Sequence, residues 1–186
     1  MDEAANPENV IAECYKANNI ETFDTFAMHG EASGTEICFI ATHAVNYTIH
    51  PVFVYEFERA SIIANLFTFN DQIEIHNLDG TVESLGNFYG DGIEKKPLFT
   101  AQSILGERSF DCPLKTVRPI TELIEKIFTQ VEFKRFPDEY IVNDIPARHT
   151  YMRNLHIDLY KCFCERKMPT EIGFPWAGNA TRLNYG

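Results

Sequence analysis

Two histidines, His43 and His50, flank the polar run Asn46-Tyr47-Thr48. A neutral imidazole can hydrogen-bond a sugar hydroxyl or accept its proton, and the amide and hydroxyls between the rings offer donors and acceptors suited to a polyol. His43 ends an apolar run, where a strand can turn a side chain toward a pocket. The same residues also fit a hydrogen-bonded histidine at a sheet edge followed by an ordinary polar loop. Arg148, His149, Tyr151 and Arg153 form a second cluster at the expected start of a helix. They would suit an anionic group, or they form a solvated face, since positive charge at a helix N-terminus opposes the dipole.

Other chemistries find less support. His43, His50 and one carboxylate have no spacing that fixes three metal ligands on one side. Cys38 lies mid-run among apolar residues and reads as a small buried hydrophobe, so a Cys38–His76 nucleophilic pair is not supported. Cys162 and Cys164 are spaced C-x-C on an expected helix, where they diverge, and all five cysteines read as reduced thiols of a cytoplasmic protein. No G-x-G-x-x-G occurs. Gly86, Gly90 and Gly92 have the wrong spacing to close backbone N–H groups on a pyrophosphate, so no cofactor site is expected in this chain.

The 186 residues are expected to form a single domain spanning 1–186. A 45% apolar and 23% charged composition is that of a soluble globular protein. Fifteen Phe, eight Tyr and one Trp point to a packed core and a flat interface. A net charge of −11, with basic pairs only at Lys95-Lys96 and Lys134-Arg135, disfavours nucleic acid as a partner. The sequence has no apolar run long enough to span a membrane, and its acidic start is not a signal peptide.

The elements that must position these groups read as strands first and helices later. Strands are expected at Val10 to Tyr15, Glu21 to Met28, Thr35 to Ala44, Pro51 to Glu58, Ser61 to Thr68, Gln72 to His76 and Thr81 to Leu85, with a tight turn at Asn77-Leu78-Asp79-Gly80. In Pro51 to Glu58 the alternation puts Phe53, Tyr55 and Phe57 on one side. Residues 86–116 are irregular, with a short helix expected at Leu98 to Leu105. Ile120, Leu123, Ile124, Ile127, Phe128 and Val131 share a helical face behind Pro119. A second helix is expected from about Ala147 to Arg166, with Met152, Leu155, Leu159, Cys162 and Phe163 in one stripe, and a short strand at Thr181 to Tyr185. This order predicts an α+β fold: a largely antiparallel, open-faced sheet of about six or more strands with helices on one face. The uncovered face, with Phe53, Tyr55 and Phe57, then needs a partner surface.

The phrases Pro7-Glu8-Asn9-Val10, Ile20-Glu21-Thr22-Phe23-Asp24-Thr25, Ala41-Thr42-His43-Ala44, Tyr55-Glu56-Phe57-Glu58, Leu78-Asp79-Gly80-Thr81 and Pro169-Thr170-Glu171 before Pro175-Trp176-Ala177 occur in this order over nearly the whole chain. Their order and spacing resemble the C-terminal domain of the Gfo/Idh/MocA family of NAD(P)-dependent oxidoreductases. The resemblance implies a full-length parent whose preceding Rossmann domain binds NAD or NADP and supplies the catalytic lysine. This chain would be its substrate-side and oligomerisation domain, inactive alone, with a sugar or polyol as substrate. It would self-associate through the sheet face bearing Phe53, Tyr55 and Phe57. Substrate contacts would come from His43, Asn46, Tyr47, His50, Arg148 and His149. Glu94-Lys95-Lys96-Pro97 and His156-Ile157-Asp158 only echo the family's catalytic segments, because they sit in the wrong structural places. The alternative is a free-standing binding or scaffold protein that dimerises through the same open sheet.

Overall fold

A computed structural model describes residues 7–46, 48, 50–65, 72–87, 92–110, 113–146 and 148–184. In chain order its elements are β1 (Pro7–Lys16), β2 (Thr25–Ala32), β3 (Thr35–Thr42), β4 (Val52–Glu56), β5 (Ala60–Asn65), β6 (Gln72–Asn77), β7 (Val82–Asn87), α1 (Gly92–Ile104), α2 (Leu114–Gln130), β8 (Phe133–Arg135), β9 (Ile141–Asp144), β10 (His149–Met152), α3 (Leu155–Glu165), α4 (Pro169–Ile172) and β11 (Thr181–Arg182). The fold is α+β, and its strands pair mostly antiparallel. They fall into three sheets rather than one: five strands, four strands and a two-stranded ribbon. The contacts gather into two compact units, Met1–Asn46 with Cys112–Gly186, and Tyr47–Asp111.

The first unit is built on β1. Its partner on one side is β2, which pairs onward with β3, and on the other side are β11 and the parallel strand β8. Alternation along β1 sends residues to two cores. Val10, Ala12 and Cys14 meet Leu123 and Ile127 of α2, with Phe26, Met28, Val131 and Leu183. Tyr15 and Ala17 meet Leu155 and Leu159 of α3, with Phe136, Met152 and Trp176. Helices therefore cover both faces of this sheet, not one, and β1 is buried like a central strand, each fully buried large apolar side chain contributing about 1.5–3 kcal/mol. Tyr15, Phe136 and Trp176 pack with ring centroids 5.2–5.3 Å apart. Gly30 lies where β2 pairs antiparallel with β1 at the register shift between Glu8 and Ile11: an added Cβ would lie 2.9 Å from Cγ2 of Val10.

The α2 helix starts a turn earlier than the sequence suggests, so Pro119 lies inside it, but its apolar face is the expected one. The largest difference falls at 141–152. There the structure holds the β9–β10 ribbon, paired from His149↔Asp144 to Met152↔Ile141; the sequence suggests no element at β9 and, from about Ala147, the first turns of a helix where β10 lies. β-branched and aromatic residues (Ile141, Val142, Thr150, Tyr151) favour strand. Asn154, in the left-handed region at φ 60, breaks the chain before α3 begins.

The second unit is a meander, β4-β5-β6-β7, followed by α1. Phe53 pairs with Ala64 and Tyr55 with Ile62, and these continue to Ile73 and Ile75. Opposite residues in an antiparallel pair share a face, so one side of this sheet is apolar. The other mixes Glu56, Ser61, Glu74, His76 and Ser84 with Val54, Ile63 and Val82. The Asn77–Gly80 turn forms as expected, with Gly80 at φ 85. Helix α1 begins before the expected Leu98 and takes in Lys95, Lys96 and Pro97.

Candidate functional site

The strongest constellation in the first unit lies where β3 ends. Asp24, at the end of the β1–β2 connection, is buried. Its carboxylate accepts from the backbone N–H groups of Ala17 (3.0 Å) and Asn18 (3.0 Å) and from the Asn18 side-chain amide (2.9 Å). Its backbone carbonyl accepts from the His43 N–H at 2.7 Å. The hydroxyls of Thr25 and Thr42 lie 2.9 Å apart, and the Thr42 oxygen accepts from the Ala44 N–H at 2.9 Å. This turn therefore fixes the backbone that carries His43, whose side chain is exposed, and leads to exposed Asn46.

The β9–β10 ribbon lies beside the same loop. The Met152 N–H donates to the Ala44 carbonyl at 3.0 Å, and the Asn18 side chain donates to the Thr150 carbonyl at 3.3 Å. His149 and Tyr151 stand on one side of β10 with ring centroids 5.7 Å apart. Arg148 precedes them in the turn, at φ 51. The suggested Arg148–His149–Tyr151–Arg153 cluster thus sits on a strand and its flanking turns. The dipole objection drawn from a helix start no longer applies.

Of the residues singled out from the sequence, His43, Asn46, Arg148 and His149 belong to the first unit, on two segments joined by the Ala44–Met152 bond. His50 belongs to the second unit. Tyr47 lies outside the described residues. Phe53, Tyr55 and Phe57 are 37%, 59% and 59% exposed. Asp158, part of the His156-Ile157-Asp158 phrase, accepts from the Trp176 indole N–H at 2.7 Å and is structural. Among the described residues, no group of three or more His, Cys, Asp or Glu side chains could hold a metal ion.

Sequence reasoning passed over Asp24 and Glu13, both buried carboxylates. Glu13 accepts from the Thr170 hydroxyl (2.6 Å) and backbone N–H (3.2 Å), and the Tyr15 hydroxyl donates to its other oxygen. Tyr15 in turn accepts from the Gly178 N–H at 3.0 Å. Burial, then the neighbouring Glu13, raises the Tyr15 hydroxyl well above its ordinary value. Each polar atom is satisfied, so this network locks α4 and the 174–178 loop to β1. The available sequence signal is one acid inside an otherwise apolar strand. His29 and Glu36, 2.6 Å apart, sit on neighbouring strands, and His29 faces Cys38 across β2–β3. Burial, then Glu36, raises the Cys38 thiol, which disfavours a nucleophilic thiolate.

No protein-family model and no curated protein matches the sequence. Among solved structures the fold is similar to UDP-N-acetylglucosamine 3-dehydrogenase GnnA from Acidithiobacillus ferrooxidans, at 15% identity and a TM-score of 0.54, over 65% of this chain and 39% of that one. This chain thus spans about two-fifths of that dehydrogenase. That enzyme is of the Gfo/Idh/MocA family, so the resemblance stated from the sequence is supported at the level of fold.

Proposed function

We propose that this chain is the substrate-side domain of an NAD(P)-dependent dehydrogenase of sugars or polyols. The cofactor-binding half and the catalytic lysine would be supplied from outside these residues. The observation that carries the reading is the fold likeness to a dehydrogenase of a nucleotide sugar. The sequence adds to it by lacking a glycine-rich phosphate loop. In this reading NAD or NADP performs the hydride chemistry, and this chain supplies binding and orientation. His43 and Asn46, presented by the turn that Asp24 organises, would hydrogen-bond ring hydroxyls. His149 and Arg148, on the neighbouring ribbon, would meet a more distal or anionic part of the substrate. The four described cysteines are free thiols, which suits a reducing compartment.

The test is ligand binding by the isolated chain, followed by saturation-transfer NMR and calorimetry with NADH, NADPH, UDP-N-acetylglucosamine and free N-acetylglucosamine. The expected result is no binding of either nicotinamide nucleotide, and weak binding of a sugar that is lost in the His43→Ala/His149→Ala variant. Tight NADH binding by this chain, or sugar binding indifferent to both substitutions, would overturn the reading.

A further inference from the structure

Two bonds tie one edge of β10 to the rest of the first unit. The Met152 N–H donates to the Ala44 carbonyl at 3.0 Å, and the Thr150 carbonyl accepts from the Asn18 side-chain amide at 3.3 Å. Residues two apart in a strand turn their backbone groups to the same edge, so both bonds lie on the edge away from β9. The base of the ribbon is also held by packing: Met152 is buried, and Tyr140 and Ile141 pack against the same core. The tip lacks that support, since Ile145 is 83% exposed. One fixed point at the base leaves the ribbon free to pivot; a second fixes its angle.

Asn18 has the chemistry this place requires. Its amide lies between two acceptors, the Asp24 carboxylate at 2.9 Å and the Thr150 carbonyl at 3.3 Å. A primary amide offers two divergent donors, whereas a hydroxyl offers one and an ionised carboxylate none. The flipped amide would set its oxygen against both acceptors, so the hydrogen-bond pattern fixes its orientation. Asp24 is itself held by the backbone N–H groups of Ala17 and Asn18, which ties the amide to the end of β1.

We infer that the Asn18 side chain is the second anchor of the β9–β10 ribbon, and so a positioning residue that sets where His149 stands relative to His43. His149 lies about 10 Å along β10 from Met152, so a pivot of about 10° would carry it about 1.7 Å. A binding constellation must be held within roughly 0.5 Å. The bearing on a sugar rests on the proposed function; the anchoring itself does not.

The test is NMR of the full chain with calorimetry. In the unmutated chain the Asn18 side-chain amide hydrogens should exchange at least about tenfold more slowly than those of exposed Asn46. In Asn18→Ala, residual dipolar couplings of β9–β10 should no longer fit the alignment that fits β1–β3, while the Met152 amide keeps its protection. Thr150→Val removes the Thr150–Asn143 side-chain bond within the ribbon but keeps the carbonyl, so it should leave the couplings unchanged. With N-acetylglucosamine as the probe, Asn18→Ala should weaken binding by the same factor as His149→Ala, and the double variant no further. Rapid exchange of the Asn18 amide, or ribbon couplings that still fit the common alignment in Asn18→Ala, would overturn the anchor. Losses that add in the double variant would refute the positioning of His149. If the unmutated chain binds no sugar, the proposed function fails, and the exchange and couplings alone decide the anchor.

Discussion

Replacing Asp24 by alanine tests whether one buried carboxylate organises the His43 region. The substitution removes the acceptor of two backbone N–H groups, Ala17 and Asn18, and of the Asn18 side-chain amide. Ala17 is 1% exposed, so water cannot readily replace the lost oxygen there. A buried donor left unpaired costs about 1–3 kcal/mol, and bonds to a charged acceptor lie at the upper end. Asn18 is half-buried and recovers part of its loss from solvent. The sum is about 3–4 kcal/mol, a large share of the roughly 5–15 kcal/mol that holds a domain together. With a urea m-value of about 2 kcal/mol/M, the midpoint should fall by about 1.5–2 M. The chain has one tryptophan, Trp176, buried in the first unit, so its fluorescence reports this unit directly. Asp24→Asn keeps one acceptor oxygen but turns an NH₂ toward the same donors, and should cost about half as much. A midpoint shift under about 0.5 M for Asp24→Ala would refute the reasoning, as would equal costs for the alanine and asparagine variants.

Three further outcomes follow from the same geometry. Tyr15→Phe leaves a Glu13 oxygen without its donor and the Gly178 N–H without its acceptor, so it should cost about 2–4 kcal/mol by tryptophan-monitored unfolding, far more than loss of one exposed hydroxyl. Hydrogen bonds from the Thr81 hydroxyl and N–H hold the Asp79 carboxyl below its ordinary value. Its contribution to the β6–β7 turn is therefore present above the unfolded value near pH 4 and lost as pH falls through the lower folded one; an acid titration of the Thr81 amide by NMR should show this, and Asp79→Ala should abolish it. Burial, then Glu13, pushes the Cys14 and Cys162 thiols up to about 12, so their contribution is present below about pH 9 and lost as pH rises toward 12; a thiol reagent at pH 8 should label exposed Cys164 and spare both, and Cys14→Ala should flatten the alkaline unfolding limb.

Much of the local structure is legible in the residues themselves. Thr35 to Thr42 and Gln72 to Asn77 form strands within two residues of where their apolar and β-branched runs place them. The Phe53/Tyr55 side of β4 follows from period two, and the Leu123–Ile127 face of α2 from period 3.6. Residues 147–154 misled because Met152, Leu155 and Leu159 share a helical stripe by spacing, yet Met152 reaches the same core from a strand. Spacing records which side chains are buried, and two backbone conformations here bury the same ones. The candidate site was legible only as residue types: His43 and Asn46 stand out by chemistry, whereas Asp24, which holds their loop, looks like any turn aspartate.

The sequence by itself determined the α+β class, the run of strands from β1 to β7 with helices after it, and the apolar sides of β4 and α2, because these depend on propensity and periodicity within a few residues. Only the tertiary structure decided that β8 joins β1 in parallel, that α2 and α3 cover opposite faces of one sheet, that the strands divide between two units, and that Glu13 and Asp24 lie buried. Those outcomes rest on pairing between segments far apart in the chain, and such pairing is selected by the free energy of the whole packed arrangement, which leaves no periodic mark in any one segment.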